Sequence, residues 1–451
     1  MIISVVGSGG KTSKIKELKE QYLKENKTVL MCTTTHMLIE EDTLLNPTYE
    51  QIEQRIKENG YCFAGNQVDD KKIGSLDKDV LNKCKENIDV ILIEADGSKH
   101  KYLKYCLDNE PVIDEDSDKV ILITNLKGLN HKAKDVIHRY EYIYDSDQIV
   151  DAKIIQDLVR LYLNKITQPV SICVNGANSL YERCLKSLLE KNIDVDILKK
   201  EWFQTASKLV LFGAGHVSQY VNKIAKLLDF YTIVIDEREE FANRDCFPNA
   251  NEIHCVPFNE CEKILPKEEN TCFVIVTRGH KDDKECLELV LKRSHLYCGM
   301  IGSKGKVQKT FDALNLDEQT RQNIHAPIGL KIKANTPAEI AISILAQIID
   351  IKNQKYSSFI PSELYNSKEK GMLCIIIDKK GSTPRGIGTM MLVCQSHIVS
   401  TIGGGQIEYE VIQRARKLRD VSIETFVLDN EQASSLGMIC GGQNTILFIP
   451  V

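Results

Sequence analysis

Ile2-Ile3-Ser4-Val5-Val6-Gly7-Ser8-Gly9-Gly10-Lys11-Thr12-Ser13 decides how the first part of this chain folds. The apolar run reads as a strand, the glycines as a turn, and the Lys-rich amphipathic stretch that follows as a helix. Such a junction turns successive backbone N–H groups inward, because glycine accepts the dihedrals this requires. It also sets a lysine, a hydroxyl and a helix N-terminus around one point, the combination that holds a polyphosphate and its metal. Gly7, Gly9, Gly10, Lys11 and Thr12 are therefore candidate phosphate-binding residues, with Thr12 also expected on Mg2+. Val5 stands where the longer loop opens with glycine, so this is a shortened Gly-x-x-Gly-Lys-Thr loop; a plain glycine turn is the competing reading. Lys11 is expected to face solvent and to serve phosphate charge alone.

Apolar runs at Val90–Ile93, Val120–Ile123 and Val170–Val174 alternate with helical stretches up to about residue 204. That alternation predicts a mainly parallel sheet. The run Val90–Ile93 leads into Glu94-Ala95-Asp96-Gly97, and a carboxylate at a strand's end suits the positioning of Mg2+. Either acid qualifies; Asp96 is preferred. Thr33-Thr34-Thr35-His36 closes another apolar run, and its hydroxyls would line the same cleft. Val174-Asn175-Gly176-Ala177-Asn178 stands where related phosphate-loop proteins often carry Asn-Lys-x-Asp for guanine. Gly176 replaces the lysine and Asn178 the aspartate, which leaves both ATP and GTP open.

A second alternation starts with Lys208-Leu209-Val210-Leu211-Phe212-Gly213-Ala214-Gly215-His216-Val217-Ser218. Here Gly213 and Gly215 would let a pyrophosphate approach the backbone at a helix N-terminus. Asp236 follows Gly215 by 21 residues, at the end of the run Thr232–Ile235, where a ribose-binding carboxylate belongs. Ser218 takes the third glycine position and is expected to loosen helix–strand packing slightly. Thr336-Pro337-Ala338-Glu339 opens a helix with an N-cap hydroxyl, a Pro at the first position and a Glu at the third. Residues 353–370 are polar and read as a linker. Residues 371–451 hold five strand-like runs and one helical stretch, Ile407–Leu418. The chain thus divides into 1–204, an α/β phosphate-loop domain with a parallel sheet; 205–352, a doubly wound Rossmann-type domain; the linker; and 371–451, a small α+β domain.

Bulk properties narrow the function. The chain has 451 residues, 43% hydrophobic and 27% charged, with a formal charge of −5. No basic stripe is present to displace counterions, so no nucleic-acid partner is expected. No apolar run is long enough for a bilayer, and the N-terminus lacks a signal-peptide pattern, so a cytoplasmic protein without a membrane partner is expected. Fifteen cysteines are scattered without a C-x-x-C pair, which argues for free thiols rather than a disulfide framework. Cys173, Cys272 and Cys374 lie inside apolar runs and should be buried.

GSGGKTS, CTTTHM, IEADGSK and VIHRYE, in that order, resemble the YqeC family, associated with selenium-dependent molybdenum hydroxylases. The run of Gly213-Ala214-Gly215-His216, Asp236-Glu237-Arg238, Val276-Thr277-Arg278-Gly279-His280, Gly299–Lys304 and Pro327–Leu330 resembles the Rossmann domain of the XdhC/CoxI xanthine dehydrogenase accessory family. Gly381-Ser382-Thr383-Pro384-Arg385, Thr401–Glu408 and Met438–Gly442 resemble the other XdhC/CoxI domain, here placed after the Rossmann domain instead of before it. The resemblance implies an accessory or maturation factor for such a hydroxylase. It would bind molybdenum cofactor, as molybdopterin or its nucleotide, at Gly213, Gly215, His216, Asp236, Arg238, His280, Ser303, Lys304, Arg385, Gly404 and Glu408. ATP or GTP with Mg2+ would occupy the first domain, with NTP hydrolysis left open. Cys440 would carry sulfur or selenium or ligate molybdenum. Partners implied are the apo-hydroxylase, a sulfur or selenium donor such as a cysteine desulfurase, and a second copy in a homodimer. Two alternatives remain: an NAD(P)-dependent oxidoreductase using an NAD(P)-like dinucleotide, or a phosphate-loop NTPase switch with appended binding domains.

Overall fold

A computed structural model of the chain describes all residues except 205–206, 356–359, 382–384 and 428–441, together with the side chains of His280 and Ser362. In the first unit the strands Val170–Asn175, Lys119–Asn125, Ile2–Gly7, Val90–Glu94, Val29–Thr33 and Tyr61–Asp69 lie side by side and parallel. Short antiparallel strands Lys72–Gly74 and Met37–Leu38 finish one edge. The apolar runs are continuous because both faces are covered. Ile3, Val5, Leu92 and Ile121 meet Ile15 and Leu18 of the helix Lys11–Lys24. Val6, Leu30, Ile91, Ile93 and Leu122 form the opposite core. From Ile2–Gly7 the chain first crosses to Val29–Thr33, and later passes from Val90–Glu94 back to Lys119–Asn125 on the other side. That reversal opens a crevice at the carboxyl end of Ile2–Gly7, where ligands bind in open α/β sheets.

The second unit orders its five parallel strands as Glu252–Cys255, Tyr231–Asp236, Lys208–Phe212, Cys272–Ile275 and Tyr297–Met300. Alternate side chains fill two cores, with Val210, Phe212, Ile233 and Phe273 in one and Leu209, Leu211, Val234 and Val274 in the other. The expected cap of the last helix is present: Glu339 N donates to Thr336 Oγ1 at 3.3 Å and Thr336 N to Glu339 Oε2 at 3.1 Å. That helix, Pro337–Lys355, packs on the helix His216–Leu227.

The last unit is a five-stranded antiparallel sheet in the order Ile398–Val399, Met390–Val393, Met372–Gly381, Gly442–Pro450, Ser422–Val427. Its helix, Gly405–Lys417, covers Met372, Cys374, Ile376, Met391 and Phe448 with Ile407, Val411 and Ala415. The alternate set, Leu373, Ile375, Leu392, Leu447 and Ile449, shares a core with Cys184, Leu185, Leu188 and Trp202 of the first unit. Arg183 donates to the carbonyls of Ser367 and Glu369, and Ser187 to that of Pro450. The small domain is therefore docked on the first unit. The stretch read as a linker takes part: Ile360 and Leu364 are buried in that same core, and Ile360 N donates to Gln204 O. No helix among the described residues is long and apolar enough to cross a membrane.

Candidate functional site

The crevice of the first unit is built around Gly7–Thr12. Gly7, Gly9 and Gly10 all hold positive φ, at 91°, 78° and 141°. A Cβ on Gly7 would lie 2.1 Å from the Ile123 carbonyl, so that position demands glycine both for φ and for space. Two asparagines at neighbouring strand ends brace the loop: Asn125 Nδ2 and Asn175 Nδ2 donate to Gly9 O at 2.8 and 3.2 Å. Asn175, part of the segment compared with a guanine motif, is thus a loop brace.

Lys11 does not face solvent. It is 5% exposed and folded back, with Nζ donating to Gly7 O at 2.8 Å and Ser98 Oγ at 3.1 Å and lying 3.9 Å from Glu94 Oε1. A buried ammonium needs oxygen partners, and these backbone, hydroxyl and carboxylate oxygens are the nearest ones. Burial pushes Lys11 below its ordinary range, against the pull of Glu94 and Asp96, and burial pushes the Glu94 carboxyl up, against Lys11 and Thr12. Both charged forms are thereby disfavoured, as expected where charge is gathered for a ligand.

The acidic pair separates in role. Glu94 Oε2 accepts from Thr12 Oγ1 at 3.1 Å, so it is the carboxylate that stands beside the loop hydroxyl. Asp96, the acid preferred from sequence, is fully buried beneath the loop: it accepts from Gly7 N at 3.2 Å and from Tyr162 OH, and pairs with Lys104. Lys104 reaches on to Glu110 at 2.8 Å, which also binds Arg139. Sequence reading missed Ser98, Lys104, Tyr162 and Asn125. Lys104 and Tyr162 lie in no motif, but Asn125 carried a signal, being polar at the end of an apolar strand run. Thr33 is buried and its Oγ1 donates to Glu94 O at 2.7 Å, so this hydroxyl ties two strands together, whereas His36 is exposed.

In the second unit the parallel strands end at one edge, which gathers Gly213, Gly215, His216, Asp236, Arg238, Thr277, Ser303 and Lys304 there. Gly213 has φ +100°, and a Cβ would meet Val276 O at 2.6 Å. Gly215 differs: a Cβ there meets nothing within 4 Å, so the space above it is open. Ser218 does not loosen the packing; it is buried and its hydroxyl donates to Gly213 O, tying helix to loop. Asp236 accepts from Ala214 N at 2.7 Å and from Arg238 N, Nε and Nη2 at 3.1, 2.8 and 2.8 Å. Burial works to raise its pKa, but those donors outweigh it and hold the carboxyl below its ordinary range. Arg238 also stacks over Phe241, 4.0 Å from the ring, and with Glu239 and Glu240 lines a shallow cavity of about 560 Å³. His216, Ser303 and Lys304 are exposed, with Ser303 capping its helix through Lys306 N. The His280 side chain lies outside the described residues.

The prediction from this geometry is that Gly215→Val leaves the fold intact and removes binding of a dinucleotide-like ligand. The valine would project into open space rather than into protein, so stability should fall by only about 1 kcal/mol, the cost of a poor residue at this helix N-cap. Retention of an adenine or pterin nucleotide by the purified variant, equal to the parent's, would show that the glycines serve the turn alone.

In the small domain Gly403, Gly404 and Gly405 hold φ of 126°, 75° and 73°, and the last two have open space where a Cβ would stand. Glu408, a candidate ligand residue from sequence, faces inward to this turn: its Oε2 accepts from Ile402 N at 2.9 Å, Gly404 N at 3.0 Å and Thr401 Oγ1. Arg385 is exposed. Ser382, Thr383, Pro384 and Cys440 lie outside the described residues. Among the described residues fourteen cysteines are free thiols; Cys272 and Cys374 are buried, but Cys173 only half so, because its strand is the sheet edge.

The fold and these loops define a chain of two doubly wound α/β units with glycine loops at their strand ends, and a small antiparallel domain. Family models match each part: YqeC protein over residues 3–141, XdhC Rossmann domain over 209–348, and XdhC and CoxI family over 364–426. The chain is a fusion of a YqeC segment with XdhC Rossmann and XdhC/CoxI segments. It is 30% identical over 184 residues to YqeB of Escherichia coli (strain K12), covering 40% of this chain and 33% of that protein. It is 26% identical over 151 residues to a probable xanthine dehydrogenase subunit of Bacillus subtilis (strain 168), covering 33% of this chain and 43% of the relative. A crystal structure of a xanthine dehydrogenase from Bacillus halodurans matches 33% of this chain and 44% of its own at 29% identity, with a TM-score of 0.31. The chain spans less than half the length of each of these relatives.

Proposed function

We propose that this protein is an accessory and maturation factor for a molybdenum hydroxylase of the xanthine dehydrogenase type, of the selenium-dependent kind that the YqeC segment implies. It would bind the molybdenum cofactor, assist installation of its terminal sulfur or selenium ligand, and deliver it to the apo-enzyme. The observation that carries this is the union of all three segments in one chain, together with its likeness to a probable xanthine dehydrogenase subunit of Bacillus subtilis. The open backbone at Gly215 fits a pyrophosphate, a group that dinucleotides and pterin nucleotides share.

In the first unit, the loop N–H groups and Lys11 would take the phosphates of ATP or GTP. Lys11 would leave Gly7 O and Ser98 to do so. Thr12 and Glu94 are the groups that would hold Mg2+, which when bound neutralises phosphate charge. Asp96 and Lys104 would keep the loop in place from below. Glu94→Gln is therefore expected to weaken Mg2+-dependent nucleotide binding about tenfold or more while leaving metal-free binding unchanged, read by calorimetry with and without Mg2+. Equal Mg2+ dependence in variant and parent would remove Glu94 from the role.

The whole reading is tested by anaerobic purification of the chain from its native host, with metal and selenium analysis and extraction of bound pterin. Activation of apo-hydroxylase is then measured with and without the chain. Absence of pterin together with activation that does not need the chain would overturn it. Turnover with NAD(P)H would favour an oxidoreductase instead.

A further inference from the structure

Met390–Val393 and Ile398–Val399 form a hairpin at the edge of the small domain's sheet, joined by Cys394-Gln395-Ser396-His397. Val393 pairs with Ile398, and Cys394 N donates to His397 O at 3.0 Å. Cys394 and His397 are therefore the next cross-strand pair, and such a pair sends both side chains to one face. Glu369 reaches that face from the segment leading into the central strand. The Cys394 thiol, a ring nitrogen of His397 and a Glu369 oxygen all lie within 4.8 Å of one another, with His397 Nε2 at 3.1 Å from Glu369 Oε2.

We propose that Glu369, Cys394 and His397 form a site for a divalent metal ion of the zinc class. The donor set is thiolate, imidazole and carboxylate, the three ligand types Zn2+ takes, at about 2.0–2.3 Å each. Tetrahedral ligands around such an ion stand roughly 3.3–3.7 Å apart, so closure needs a contraction of only about 1 to 1.5 Å. Two surrounding features suit the ion. Ser396 Oγ lies 3.3 Å from His397 Nδ1, the partner that fixes a metal-binding histidine with Nε2 toward the ion. Arg183 of the first unit donates to the Glu369 carbonyl at 2.9 Å, which fixes the carboxylate's backbone only while the two units are docked. Cys394 itself is 5% exposed and packs in the shared core, whereas Glu369 and His397 are exposed. The ion would thus clip the rim of the interface between the small domain and the first unit. This site is independent of the nucleotide and cofactor reading above.

The test uses the reduced full chain with Zn2+ and Co2+ as probes. One equivalent of Zn2+ should resist gel filtration, and Co2+ should give thiolate-to-cobalt charge-transfer absorption that Zn2+ displaces. His397→Ala and Glu369→Gln, both at exposed positions, should weaken Zn2+ binding at least about tenfold. Cys394→Ser should abolish the charge-transfer absorption, its folding being checked by circular dichroism because the thiol is buried. Exposed Cys255 sets a background that all variants share, so the parent-minus-variant difference isolates the site. Charge-transfer absorption that is absent from the parent, or unchanged in the His397 and Glu369 variants, would overturn the proposal.

Discussion

Lys11→Ala is expected to lower affinity for Mg2+–ATP and Mg2+–GTP at least about 100-fold while the chain stays folded. A hydrogen bond to a charged group contributes about 1.5–3 kcal/mol, and about 2.7 kcal/mol corresponds to roughly 100-fold in Kd. Within the protein Lys11 serves Gly7 O, Ser98 Oγ and a more distant Glu94. Its removal leaves Glu94 with Thr12 as a donor, and the nearest oxygen contacts of the ammonium are backbone and hydroxyl groups rather than a close carboxylate. The cost to stability should therefore stay within the range of about 0.5–3 kcal/mol common for single substitutions, and below that of removing Asp96. Calorimetric titration of both nucleotides, with denaturant unfolding alongside, separates the two effects. Equal affinities in variant and parent would mean that the loop holds no polyphosphate through Lys11. A large loss of stability would mean instead that the lysine is a structural strut.

Asp96→Ala is expected to show the reverse pattern, with a stability loss of about 3–5 kcal/mol. The carboxylate lies wholly inside the protein and answers three donors, Gly7 N, the Tyr162 hydroxyl and the Lys104 ammonium. Without it Lys104, itself 2% exposed, keeps only Glu110, which Arg139 already engages. A buried cation left short of countercharge is the expensive outcome, more so than the loss of the pair as such. Asp96→Asn keeps the shape and the Gly7 contact and should cost less than the alanine variant. Urea unfolding monitored at two wavelengths measures this; a shift below about 1 kcal/mol for the alanine variant would show that Lys104 finds water or another acceptor. Nucleotide binding by Asp96→Asn, if retained, would set Asp96 apart from Glu94, whose loss acts on metal dependence.

The strand at Ile2–Gly7, the loop and the helix after it are local, set by an apolar run, a glycine cluster and a periodic stretch, and all three stand where they were expected. So do the Rossmann turn at Gly213 and the capped helix from Pro337, since a cap is a contact between residues three apart. The five strand runs of the last domain were legible in the same way. Their pairing order was not, because hydrogen bonds between Met372–Gly381 and Gly442–Pro450 join segments about 70 residues apart in the chain.

The identities of the loop, the acidic pair and the glycine turns were thus determined by sequence alone, because each depends on residue type within a few positions. Which carboxylate of Glu94 and Asp96 stands beside Thr12 was decided only by tertiary structure. The strand ends at Glu94, and the intervening chain brought Lys104 and Tyr162 to Asp96 from outside any motif. The same holds for the inward turn of Glu408, the folded-back Lys11 and the docking of the last domain on the first. Each is a choice among partners the motifs do not specify, made by burial: a charged or apolar group withdrawn from water takes whatever complementary surface the assembled fold brings within reach.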